Sequence, residues 1–302
     1  MDAPELRELS YFIAVAEELH FGRAAGRLGM AQPPLSRAIQ QLERRVGVML
    51  LERSSRAVRL TPAGEVMLAE SRKVLDAAAA AVRRAQRAGR EEPRLLLAMK
   101  PHGDAGLLEP ILQRYRRDSD AVEFEVVVCG IGEQAPMLRD GRVDIAFLHA
   151  PHDDLSGFDT ERLLTEDQVA VLPRVHPLAD RCALVLADLD GEPMPRWPGR
   201  YASQEAEGKA PQVRDIGQLL QLIALGQVVA VLPESVRGHA RADVVCVPVL
   251  DAPQTSVLLA WPARTTSRAV AAFVRAGSEV ADAAEADRDA GAGRLGSGLV
   301  QV

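Results

Sequence analysis

Leu6, Leu9, Ile13 and Ala16, with Phe12 beside them, share one face at helical spacing and predict a first helix. His20-Phe21-Gly22 interrupts the pattern, and Arg23–Leu28 reads as a short helix of small residues that Gly29 breaks. Pro33 and Pro34 follow, and prolines are tolerated in a first helical turn because its N–H groups have no intrahelical partner. A third helix is therefore expected over Pro33–Val46. Within it Leu35, Ile39, Leu42 and Val46 recur at steps of four, three and four, a stripe that must be buried. Pro33, Arg37, Gln40 and Arg44 point the opposite way, flanked by Ser36 and Gln41. A charged outer face is most often only solvated. Here it follows a short helix and a tight turn, and it offers guanidinium forks, amides and a hydroxyl that can meet base edges and phosphates. Helix-turn-helix is the better reading.

After Gly47, Leu50-Leu51-Glu52-Arg53 and Val58-Arg59-Leu60 predict two short strands around the polar tip Ser54-Ser55-Arg56. This hairpin is either a basic wing for nucleic acid, a lid on the small core, or both. Thr61-Pro62 then opens a long helix, threonine as N-cap and proline at the first position. Positions 67, 71, 74, 78, 81, 85 and 88 read Met, Ser, Val and four Ala at alternating steps of four and three, a small-residue heptad seam. Gly89 and Pro93 close this helix. The seam needs a partner, most simply a second subunit, with packing on the chain's own body as the alternative.

Beyond it, Arg94–Met99 predicts a strand, Leu107–Tyr115 an amphipathic helix, Val122–Cys129 a strand, Glu133–Arg139 a short helix and Val143–Leu148 a third strand. That order argues for right-handed crossovers in a parallel sheet. A second set follows: Gln168–Leu172, His176-Pro177-Leu178, a helix over Ile216–Leu225 and then Gln227–Leu232. Thr255–Trp261 and a helix over Ser267–Ala281 complete the fold. Residues after about Ala283 are rich in Ala, Gly, Asp and Arg and read as a disordered tail.

Composition adds an asymmetry. The chain's net charge of −6 divides into +5 over residues 1–90 and −11 over the rest, and residues 20–60 hold eight arginines against two glutamates. A basic small end on an acidic body suits a polyanion partner for that end. At 302 residues the chain exceeds one ordinary domain. No apolar run approaches the ~18 residues that span a bilayer, and the amino terminus lacks the pattern of a secretory signal. Cys129, Cys182 and Cys246 are too far apart for a zinc site. A cytoplasmic protein with no membrane partner and no cofactor is expected.

The segment Ala24-Ala25…Leu28…Gln32-Pro33-Pro34-Leu35-Ser36…Ile39…Leu42-Glu43…Gly47…Leu50-Leu51-Glu52-Arg53, followed by Leu60-Thr61-Pro62-Ala63-Gly64, resembles the amino-terminal domain of LysR-type transcriptional regulators. Pro34 departs from the family's more frequent alanine. Leu138–Ala146 and Leu225–Pro233 are similar to the effector domain of the same family. The resemblance implies an α/β protein with an all-α-like winged helix-turn-helix at residues 1–61 and a linker and dimerisation helix at 62–90. It implies a two-lobed effector domain at 91–282, like that of periplasmic solute-binding proteins. Lobe I would span about 91–164 and 264–282, and lobe II about 165–263, with crossovers near Leu164–Glu166 and Trp261–Arg264. It further implies a homotetramer, a dimer of dimers built on the linker helices, that binds double-stranded DNA under control of a small molecule. Carried over position by position, Gln32, Pro33, Ser36, Arg37 and Arg53 are expected to serve DNA binding. Pro34, Gln40 and Arg23 join them by position, and Arg56 by its basic hairpin setting.

In open α/β sheets, ligands sit beyond the carboxyl ends of strands. Lys100 and His102 after the first strand, Gly132 after the second, His149 after the third, and Arg196 with Trp197 in the second lobe are the candidates for effector contact. Lys100, His102 and Arg196 would suit an anion. The family often has Ser, Thr or Asn near positions 131–132, where this chain has Ile131 and Gly132, so a standard small-acid mode does not follow. Rival chemistries have less support. Pro151 argues against one rigid face in His149-Ala150-Pro151-His152-Asp153-Asp154, so no metal site is expected. Thiol sensing, used by peroxide-responsive members of the family, wants paired reactive cysteines, and those here sit beside apolar segments. No nucleophile elbow, phosphate loop or dinucleotide fingerprint occurs, so no enzyme is expected. A solute-binding or enzymatic α/β protein whose first helices serve only assembly would show no salt-dependent affinity for DNA, and a regulator with a closed cleft would bind no effector.

Overall fold

The structure is a computed structural model that describes residues 3–53, 57–89, 92–197 and 211–296, with side chains described as far as residue 286. Residues up to Gly89 belong to one compact unit, and those from 92 onward, apart from a short turn, to a second.

In the first unit, helices α1 (Leu6–Glu18), α2 (Phe21–Arg27) and α3 (Gln32–Val46) precede a hairpin of β1 (Leu51–Arg53) and β2 (Val58–Leu60) and the long helix α4 (Pro62–Ala88). Each boundary has a local cause. His20 caps α2, its Nδ1 accepting from the N–H groups of Gly22 and Arg23 at 3.0 and 3.2 Å. Gly47, at φ +83°, takes the left-handed conformation that ends α3. Thr61 caps α4 by accepting from Gly64 N–H at 2.9 Å, and its hydroxyl donates to the Met49 carbonyl at 2.8 Å. The core gathers Phe12 and Val15 of α1, Ala24 of α2, Leu35, Ile39 and Leu42 of α3, and Leu50 and Leu51 of the hairpin. Burying each large aliphatic side chain stabilises the unit by roughly 1.5–3 kcal/mol. Glu17 of α1 pairs with both Arg27 of α2 and Arg72 of α4 at 2.7 Å, joining three helices at the surface.

The second unit contains two sheets. The first has the order β4 (Glu123–Val128), β3 (Arg94–Met99), β5 (Ile145–Ala150), β10 (Thr255–Pro262), β6 (Phe158–Glu166). Strand β3 runs parallel to β4 and β5, whereas β10 runs antiparallel to β5 and β6. Helices α5 (Leu108–Tyr115) and α8 (Arg268–Gly296) cover one face, where Phe273 stacks on Phe124 and meets Tyr115 edge-on, each at 5.3 Å. The short α6 (Gln134–Arg139) covers the other. The second sheet places β7 (Gln168–Pro173) between β8 (Ala230–Pro233) and β9 (Val244–Val249), both antiparallel to it, with α7 (Ile216–Ala224) on one face.

Four expectations change. The second sheet is antiparallel rather than parallel, because β7 leads out of the first sheet while β9 leads back. Strands β6 and β9, absent from the sequence reading, are present, and His176-Pro177-Leu178 lies in turns. The return crossing falls at residues 250–254, ahead of β10, and not at Trp261–Arg264, because all of β10 pairs with β6. Residues 283–296 continue α8 where a disordered tail was expected, in keeping with the high helix propensity of their alanines.

The Gly64 of the Thr-Pro-Ala-Gly segment has a steric reason. A Cβ there would lie 2.1 Å from the Leu50 carbonyl oxygen and 3.0 Å from Leu60 Cδ2. Gly64→Ala is expected to push α4 off the hairpin at a cost of at least about 1–3 kcal/mol. Thermal denaturation of the first unit's transition, showing a clear drop in its midpoint, checks this.

Candidate DNA interface and ligand cavity

Leu35, Ile39 and Leu42 are fully buried, and that fixes the rotation of α3. Gln32, Pro33, Arg37, Gln40, Gln41 and Arg44 are consequently exposed, with Pro34 and Ser36 half-buried at the margin. The expected face is therefore assembled on one side of one helix. Arg37 has no ion-pair partner among the described residues, so its guanidinium is available to a polyanion. Arg23, exposed at the start of α2, pairs with Glu18 through both side chain and main chain. Arg56 lies outside the described residues.

Arg53 departs from the expectation of an outward wing cation. Its guanidinium turns inward, donating to Glu43 Oε2 at 2.7 Å and resting 5.0 Å above the centre of the Phe21 ring. Sequence alone places a cation in the hairpin. The acceptor that captures it stands ten residues earlier on another element.

The second unit holds a cavity of about 550 Å³, walled by both sheets' loops. Lys100 and His102 reach it from the loop after β3, Ile131 from the loop after β4, and His149 from the end of β5. Trp197, Met194, Leu232 and Val236 supply an apolar wall from the second sheet's side. Four expected residues, Lys100, His102, His149 and Trp197, thus come together. Gly132 and Arg196 are not in the wall. Gly132 makes the turn at φ +82° that presents Ile131 instead. The backbone of Arg196 bridges to the 211–213 segment, so in the extended chain its neighbour Trp197 takes the cavity side.

His152, Gln168, Ser235, His239 and Thr255 also line the cavity. None was assigned to it from sequence. The signal was faint: Gln168 and Thr255 are polar residues at the first positions of strongly apolar strands. Gln168 Nε2 donates to Thr255 Oγ1 at 3.0 Å, and that hydroxyl lies 3.3 Å from His152 Nε2. The rings of His102 and His239 lie with centroids 3.7 Å apart, one from each side of the cavity.

Burial governs the charges here. It pushes the Lys100 ammonium below its usual range, against the opposing pull of the Asp153 and Glu166 carboxylates. Burial also holds His149 well below the ordinary imidazole value, helped by Lys100 and His152, so His149 is neutral at pH 7. His102 and His152 are lowered by burial first, then by His239 and Lys100 respectively. The cavity therefore holds a lysine whose charged form an incoming anion would favour, beside the neutral His149 and apolar walls. Burial raises the Cys129 thiol to about 11 and lifts Cys246 too, which leaves both unreactive. Among the described residues, no three His, Cys, Asp or Glu side chains are grouped to hold a metal ion, and no helix is long and apolar enough to cross a membrane.

Comparison with known proteins agrees with both units. Residues 6–65 match the family described as bacterial regulatory helix-turn-helix protein, lysR family, and residues 88–282 match the LysR substrate binding domain. The transcriptional regulator AlsR of Bacillus subtilis is 36% identical over 254 residues, covering 80% of this chain and 84% of the relative. The Hca operon transcriptional activator HcaR of Escherichia coli is 32% identical, covering 85% and 91%. Among solved structures, CbnR, a LysR family transcriptional regulator, superposes with a TM-score of 0.55 at 25% identity, covering 92% of this chain and 99% of that one. A full-length BenM variant gives 0.52 at 28% identity, covering 92% and 96%. The family's members are regulators and not enzymes. With a helix-turn-helix unit and an effector-binding unit both matched, this chain belongs to the family of LysR-type transcriptional regulators.

Proposed function

We propose that α3 enters the major groove of duplex DNA with Gln32, Ser36, Arg37 and Gln40 nearest the bases. Pro33 and Pro34 start the helix at the groove, and Arg23 and Arg56 face phosphates. The observation that carries this reading is the exposed Arg37, without an ion pair among the described residues, opposite the buried Leu35–Ile39–Leu42 stripe. Arg53 is left out of the contact set because Glu43 and Phe21 occupy it.

The cavity is the effector site, and its occupant is a small, largely apolar molecule with one anionic head. Lys100 suits that head, since an anion beside it restores the ammonium that burial disfavours. Trp197, Met194 and Ile131 suit an apolar body. The seam of α4 supports a dimer, and through it a dimer of dimers. Ser71 is buried and Met67 and Ala78 are half-buried on the protomer's own body, whereas Val74 is 44% exposed and Ala81, Ala85 and Ala88 are exposed, so the later half of the stripe is what the protomer by itself leaves in water. We place the regulator in the cytoplasm, where such DNA and such ligands meet.

Arg37→Ala is expected to weaken binding to a cognate duplex by about 1–3 kcal/mol while the circular dichroism spectrum stays that of the parent. A gel-shift titration at fixed salt reads the loss, and unchanged affinity would remove Arg37 from the contact set. Ala78→Asp, which buries a charge in the seam, is expected to dissociate dimers in sedimentation velocity. Lys100→Met is expected to cost a bound carboxylate tenfold or more, about 1.4 kcal/mol, and to spare its neutral amide. Calorimetry with small carboxylic acids and their amides separates the two.

A further inference from the structure

Glu43 is an acidic side chain buried to 5% exposure in a unit whose surface is basic. It sits in the last turns of α3, beside the buried stripe. One carboxylate oxygen, Oε1, accepts from the backbone N–H groups of Leu50 and Leu51 at 3.0 and 3.1 Å, and Oε2 accepts from Arg53 at 2.7 Å. Arg53 in turn lies over Phe21, the first residue of α2. One carboxylate thereby fastens the DNA-facing helix to the first strand of the hairpin, and through Arg53 to the helix before it. The hairpin has little else of its own. Its strands are three residues each, and a two-stranded ribbon of that size is marginal in isolation.

We propose that Glu43 is a positioning residue for DNA binding. It sets the hairpin at a fixed register against α3, so that hairpin and helix meet the duplex together. Neither Glu43 nor the inward Arg53 touches DNA in this arrangement, and Arg53 serves the interface only through Glu43. The proposal rests on the DNA-binding reading of the α3 face. Simple electrostatics supplies a sharp contrast. Removing a negative charge from a DNA-binding unit should tighten its grip on phosphates. A loss of affinity on neutralising Glu43 must therefore come from geometry.

The test uses the full-length protein and a fluorescein-labelled DNA duplex of mixed sequence, titrated by anisotropy across a salt series. Glu43→Gln keeps a side-chain oxygen for the two N–H groups and loses the ion pair. It is expected to bind about tenfold more weakly, with the slope of log K against log salt shallower by about one phosphate's worth. Arg53→Gln is expected to lose as much, and the double variant no more than either, since the two act as one unit. Equal or tighter binding by Glu43→Gln, with a loss confined to Arg53→Gln, would overturn the proposal and make Arg53 a direct phosphate contact. Should Glu43→Gln unfold, Glu43→Gln/Arg53→Met removes both charges and leaves neither stranded. That variant, folded by its melting curve and binding with the parental slope, would equally overturn it. A parent protein with no salt-dependent affinity would sink the DNA-facing reading of α3 itself, whereas parental binding with unchanged variants sinks only the role of Glu43.

Discussion

The burial of Leu35, Ile39 and Leu42 is the constraint from which the first unit's function descends. Three aliphatic side chains at helical spacing can leave water together only if α3 adopts one rotation about its axis. That rotation sends Arg37, Gln40 and Arg44 outward without any further instruction. The same core takes Leu50 and Leu51 from the hairpin and Phe12 from α1, so the helix carrying the polar face is held from two sides by apolar contact. Recognition chemistry on a solvent face is thus supported by packing chemistry on the opposite one.

How much of this was legible depends on distance along the chain. The N-cap Thr61, the paired prolines at the start of α3 and its apolar stripe announce themselves within a few residues, and they stand where the sequence places them. Strand β6 is different. Its alternation of polar and half-buried positions fits an edge strand, and only the partner β10, ninety residues away, defines it. Strand β9 carries Pro248, which dulls the strand signal although the residue pairs with Val169 on β7. The misplaced return crossing has the same origin, since which sheet β10 joins is a long-range fact. In the site, Lys100, His102 and His149 were legible because they follow or end the parallel strands β3 and β5 at their carboxyl edge. The inward turn of Arg53 was not, for its meaning lies in Glu43 and Phe21.

The cavity's electrostatics follow from the same economy of charge. Lys100 stands beside His149, which burial keeps neutral, while the carboxylates of Asp153 and Glu166 act on it from within the fold. Glu166 is itself held, accepting from the N–H and hydroxyl of Ser235 at 2.8 and 3.1 Å. A dianion would set two further negative charges beside Lys100 and its two acids, whereas a single acidic head on an apolar body sets only one. The departure at Ile131 and Gly132 from the polar residues frequent in the family agrees with that bias toward apolar contact.

Among the described residues, two strand junctions carry the chain between the sheets of the second unit, at Asp167 and over residues 250–254. These junctions are tied to one another: Gln254 Nε2 donates to Asp167 Oδ1 at 2.8 Å, and Gln168 is bonded to Thr255 one residue further in. Any tilt of one sheet against the other has to bend this pair of joined tethers. Because Gln168 and Thr255 also face the cavity, a guest that competes for their hydrogen bonds acts directly on the pivot.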